Sequence, residues 1–104
     1  MAENEGKMLL TIFFKHHQNM NLAQINEKLE ETGFWKRMPP EGVEVVSWYV
    51  MMGIGQVATL RLPGHMLRDV NLVIEQCAWG AFATEFYPTY DFMPVLEGIK
   101  AKQK

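Results

Sequence analysis

The sequence predicts an α+β fold in which four strands form one antiparallel sheet with two helices on one face. Three observations carry this. Apolar and β-branched runs alternate with helical periodicities in the order strand, helix, strand, strand, helix, strand. Glycine, proline and capping residues stand between these segments, so every connection is short. At 104 residues, 48% hydrophobic and 21% charged, the chain is too apolar for disorder and long enough for one packed core. It reads as a single domain over 1–104, with its core at 8–95 and polar ends at 1–7 and 98–104.

The first strand is Met8 to Phe14, rich in β-branched and aromatic residues, and Lys15-His16-His17-Gln18-Asn19 ends it. Asn21 then caps a helix, since its side-chain oxygen can accept the free N–H groups of a first turn, and Gln24 completes a capping box. Leu22, Ile25 and Leu29 recur at helical spacing, and Gly33 is the natural stop. After Pro39-Pro40-Glu41-Gly42, a second strand runs from Val43 to Met52. Gly53-Ile54-Gly55 makes a hairpin turn into the third strand, Gln56 to Leu62. Pro63-Gly64 opens a second helix, on which Leu67, Val70, Ile74 and Cys77 share a face with Met66 and Val73 alongside. Gly80 ends it, and Ala81 to Tyr87 forms the fourth strand.

Short connections and right-handed crossovers turn this order into a ferredoxin-like β-α-β-β-α-β sandwich. Two helices cover one sheet face, so the other must be polar or meet a partner. Alternation assigns Ala58, Leu60 and Leu62, with Phe82, Thr84 and Phe86, to the helix side. Val57, Thr59 and Arg61, with Ala83, Glu85 and Tyr87, fall on the open side. In the second strand either Val45, Ser47 and Tyr49 or Val46, Trp48 and Val50 is exposed, and both choices leave an apolar, aromatic surface of the kind that marks an interface. The segment 88–96, Pro-Thr-Tyr-Asp-Phe-Met-Pro-Val-Leu, is too apolar for a solvated tail and too proline-broken for a helix; it reads as an arm packing on a second subunit.

This pattern, over Met8 to Val95, resembles the dimeric α+β barrel superfamily, in which two ferredoxin-like subunits press their open sheet faces together. The resemblance implies a homodimer, joined through the open face and the 88–96 arm. Its members include cofactor-free monooxygenases, isomerases, polyketide cyclases, haem-degrading enzymes and proteins without known activity. It therefore implies binding of a small organic molecule, aromatic or polyketide-like, with isomerisation, cyclisation or oxygenation needing no cofactor as the candidate chemistries.

With strands one and three read as adjacent and parallel, all three histidines fall on one rim, His16 and His17 after strand one and His65 after strand three. Arg61, Glu41, Glu44 and Trp79 are placed beside them. Histidine titrates near neutral pH, which suits His16 or His17 to proton transfer, and Arg61 would hold an oxyanion. Trp48, Tyr49 and Trp79 are the expected pocket walls, with His65, Glu85 and Tyr87 as further substrate contacts. Plain surface polarity in loops is the commoner explanation for any one of these histidines. Cys77, on an apolar helix face, reads as an inert core thiol.

Other classes are excluded or disfavoured. Adjacent His16 and His17 point to opposite sides of an extended chain, and no carboxylate or histidine stands at metal-ligand spacing, so no metal or cofactor is expected. Gly53-Ile54-Gly55 joins two strands and opens no helix, so it is no phosphate cradle. The net charge is −2 and no stretch matches an RNA-recognition signature, so no nucleic-acid partner is expected. The sequence shows no bilayer-length apolar run and no signal-peptide pattern at Met1 to Lys7, and the expected setting is cytoplasmic. The rival to a ligand-transforming protein is a non-catalytic sensor or protein-interaction module whose apolar sheet simply makes the dimer.

Overall fold

The computed structural model describes residues 6–103. Most of the polar leader expected at 1–7 lies outside the described residues, as does position 104. Strands β1 (Lys7–His16), β2 (Glu44–Met51), β3 (Gly55–Pro63) and β4 (Phe82–Thr89) form one antiparallel sheet in the order β2-β3-β1-β4. The helices are α1 (Leu22–Thr32), α2 (Phe34–Arg37), α3 (Leu67–Cys77) and α4 (Met93–Lys102), with a single 3₁₀ turn, Gly64–Met66, leading into α3. The order arises because two β-α-β units interleave: β3 lies between β1 and β2, and β1 between β3 and β4.

Local chemistry accounts for the helix boundaries. Asn21 Oδ1 accepts from the Gln24 N–H at 2.8 Å and Gln24 Oε1 accepts from the Asn21 N–H at 2.8 Å, a complete capping box. Gly33 ends α1 in the left-handed conformation at φ 72°, where a side chain would be strained. The chain then turns at once into α2, too short for periodicity to reveal, whose Phe34 is fully buried.

The core lies between the helices and one sheet face. Leu10, Ile12 and Phe14 of β1 and Ala58, Leu60 and Leu62 of β3 meet Ile25 and Leu29 of α1, Phe34 of α2, and Val70, Val73, Ile74 and Cys77 of α3. Phe14 is its aromatic centre, stacked on Trp48 at 5.4 Å and edge-on to Phe34 and Phe82. The hairpin's Gly55, at φ 153°, crosses β1 so closely that a Cβ there would run into the carbonyl oxygen of Phe14. A bulge between Val45 and Ser47 interrupts the pairing of β2, which forms one edge of the sheet.

Three expectations are corrected. β1 and β3 are antiparallel, Lys7 opposite Pro63 and Lys15 opposite Gly55, because β2 runs parallel to β1 and the hairpin then reverses the chain. The segment after β4 does become helical: Pro94 stands in the first turn of α4, where its missing N–H removes no hydrogen bond, and the helix continues to Lys102 through the expected polar tail. Leu67, expected in the buried stripe of α3, is exposed.

The radius of gyration is 16.1 Å, against about 13 Å for a compact chain of this length, and the longest dimension is 52 Å. No residue of α4 is buried. Among the described residues no helix is long and apolar enough to cross a membrane.

Candidate functional site

The antiparallel pairing separates the residues expected on one rim. His16, His17 and Trp79 stand at one end of the sheet; Glu44, Arg61 and His65 stand toward the other, with Arg61 about 23 Å from His16 along β1. The starts of α1 and α3 are likewise at opposite ends. No proton carrier at His16 or His17 can therefore share a small ligand with Arg61. Trp48 and Tyr49, adjacent in an extended strand, point to opposite faces and cannot line one pocket.

At the first end, His16 stacks on Phe82 at 5.8 Å. His17 Nε2 lies 3.3 Å from the Trp79 carbonyl oxygen, and the Trp79 indole donates to Thr84 Oγ1 at 3.1 Å. These groups border a shallow hollow of about 280 Å³ with Phe82 and Ala83. Trp48 lies on the helix side beneath α2, its indole N–H donating to Gln56 Oε1 at 2.6 Å, so its part is packing.

The open face carries a regular grid. Across the sheet, Thr89, Leu9, Arg61 and Glu44 form one row; Tyr87, Thr11, Thr59 and Ser47 the next; Glu85, Phe13, Val57 and Tyr49 the third. Its polar groups bind one another. Arg61 Nη1 donates to Glu44 Oε1 at 3.0 Å, and Thr11 Oγ1 lies 3.1 Å from the hydroxyls of both Thr59 and Thr89. Glu85 takes Lys15 Nζ at 2.8 Å on one oxygen and the Tyr87 hydroxyl at 2.9 Å on the other. The hydrogen bond from Lys15 holds the Glu85 carboxyl below its ordinary range, with the Tyr87 hydroxyl adding to the effect. The bond to Glu85 raises both Lys15 and Tyr87. Tyr87 is thus a weaker acid than usual, the opposite of what a phenolate base requires.

A broad concavity lies on the other side of the sheet, between the start of α3 and the end of β4. It has a volume of about 720 Å³ and is lined by Leu10, Phe86 and Pro88 from the sheet and by Gly64, His65, Leu67, Arg68 and Asn71 from the 3₁₀ turn and α3. The groove exists because α3 carries its apolar stripe one turn beyond the covered core, leaving Leu67 41% exposed at the start of the helix. His65, expected as a substrate contact, is here; Arg68 and Asn71 were missed. The signal was available in the spacing His65-x-x-Arg68-x-x-Asn71, which puts all three on one side of the helix start. Lys15 escapes the sequence reading because the strand it predicts stops at Phe14, two residues short of the observed end at His16.

Among the described residues no cluster of His, Cys, Asp and Glu could hold a metal ion. Cys77 is buried, its sulfur receiving the Arg37 Nη1 donor at 3.2 Å. Comparison of the chain with protein-family models, with curated proteins and with solved structures returns no match.

Proposed function

We propose that this chain is a ferredoxin-like protein of the dimeric α+β barrel kind that binds a small organic molecule. The observation that carries the reading is the groove between α3 and β4. Its volume of about 720 Å³ falls within the range of about 300–1,000 Å³ of small-molecule sites, and it pairs an apolar floor with a few polar groups on one side. Interleaved β-α-β units with both main helices on one face support the fold assignment.

The homodimer is part of the same proposal. The open face joins Phe13, Val57, Tyr49 and Tyr87 to charges already neutralised in pairs, so two copies can meet there without like-charge repulsion. Four strands at about 4.8 Å spacing and eight residues at about 3.3 Å make a face of roughly 19 by 26 Å, close to the smallest area that holds a stable pair. α4 extends the contact: Phe92, Val95, Leu96 and Ile99 stand at i, i+3, i+4 and i+7 along one stripe, largely exposed. A ten-residue helix is marginal in water alone, and a second subunit would supply the packing it lacks.

The second reading, a protein-interaction module without catalysis, draws on that same helix, which suits docking into another protein. Native mass spectrometry of the purified protein, gentle and then denaturing, separates the two. A dimer that releases a small molecule is expected. A dimer that never carries or takes up a ligand moves the assignment to the interaction module, and a monomer removes the barrel.

A further inference from the structure

The groove between α3 and β4 is asymmetric in charge, and that asymmetry names its ligand class. Its floor is hydrocarbon: Leu10 from β1, Phe86 and Pro88 from β4, Leu67 from α3. Its polar side is made of His65, Arg68 and Asn71, and no carboxylate lines it. Among the described residues neither Arg68 nor His65 makes an ion pair or side-chain hydrogen bond. Asn71 donates from Nδ2 to Glu75 Oε2 at 2.9 Å, an i to i+4 bond within α3, and Glu75 does not line the groove. Asp69 follows Arg68 in sequence but does not line the groove. Every other arginine the open face or the α2–α3 contact uses is already engaged, Arg61 with Glu44 and Arg37 with Gln76 and Cys77.

We infer that this groove binds an apolar carboxylic acid, its hydrocarbon or aromatic body over Leu10, Leu67 and Phe86 and its carboxylate at Arg68. The inference rests on the small-molecule reading above and specifies its ligand. A guanidinium at the mouth of an apolar groove discriminates in both directions. It gains a charge-assisted, bidentate partner from a carboxylate, and only an ordinary hydrogen bond from a neutral carbonyl. The floor alone would accept acid and neutral compound alike, since apolar burial is non-directional.

The test uses the full chain with two probes of nearly identical shape, 2-naphthoate and its uncharged amide, 2-naphthamide. Affinity is read by calorimetry and location by amide chemical shifts. The expected result is 2-naphthoate binding roughly tenfold or more tighter than the amide, the scale of one charge-assisted contact, with shifts centred on Leu10, Leu67 and Phe86. Arg68→Gln, at an exposed position that leaves the core intact, should bring the two affinities together while the amide's own affinity stays within about twofold. Equal binding of both probes to the unaltered protein would overturn the acid preference and leave the groove as a site for neutral molecules. Shifts confined elsewhere, or no binding of either probe, would overturn this inference and remove the groove from the proposed function as well.

Discussion

On the helix side of the sheet, Leu10, Ile12, Phe14, Ala58, Leu60 and Leu62 are all but sealed from solvent. On the open side of the same two strands, Thr11, Phe13, Lys15, Val57, Thr59 and Arg61 are half-buried, and their polar groups are tied to neighbours across the rows. Adjacent residues thus serve opposite ends. The difference teaches where ligand chemistry can be found. A face whose cations and carboxylates already satisfy each other has little left to offer a substrate and is well made for contact with a like surface. Arg68 and His65, without side-chain partners among the described residues, are on the other side, at the groove between α3 and β4.

The sharpest way to break this comparison is to remove one aromatic ring from each face. Phe14→Ala should lower stability by about 3–5 kcal/mol in urea unfolding, the cost of deleting a fully buried ring. Phe13→Ala should cost well under half of that; equal losses would erase the distinction between the faces. Tyr87→Asp places a new charge on the open side and should convert a dimer to a monomer in sedimentation, and an unchanged profile would place the interface elsewhere. A smaller effect is expected in the helical layer: Asn21→Ala should cost about 1 kcal/mol by opening the capping box, read as a shift of the urea midpoint at constant slope.

The smallest effect concerns pH. Glu85 is lowered in the folded protein, so its contribution is present above the ordinary glutamate range, about pH 4.3, and is lost as pH falls through its folded value. Lys15 and Tyr87 are raised, so theirs is present below their ordinary values and is lost as pH rises through the folded ones. The trio is partly exposed and solvent-screened. Glu85→Gln should therefore slightly flatten the acid limb of the stability profile, and a steeper limb would contradict the assignment.

What was legible in the sequence was chiefly local. The capping box at Asn21 and Gln24, the Gly33 stop, the glycine hairpin and the core stripe Val70, Ile74, Cys77 all follow from contacts within a few residues. The alternation of β3 and β4 correctly set Arg61, Glu85 and Tyr87 on the open side. The readings that failed depended on where a rule applies. Proline breaks helices in their interior, and Pro94 stands in a first turn. The direction of β3 follows from one crossover and one hairpin together, and reading it as parallel to β1 gathered three histidines that the sheet keeps apart. The groove was hidden for a different reason: whether Leu67 is covered depends on where α3 begins relative to β4, which periodicity along α3 does not contain.

β2 has a consequence for the chain outside its native state. It lies at the sheet edge with Val45, Val46, Tyr49 and Val50 exposed. Between Glu44 and Met51 it holds no charged residue and no proline. Such a segment is competent to recruit identical strands into fibrillar stacks, and the bulge at Val45–Ser47 is the feature that puts its outward amides out of step with a straight copy. A lysine at Val50, 72% exposed, would add a second guard at little cost to the fold, and the refolding yield at high concentration should rise with it.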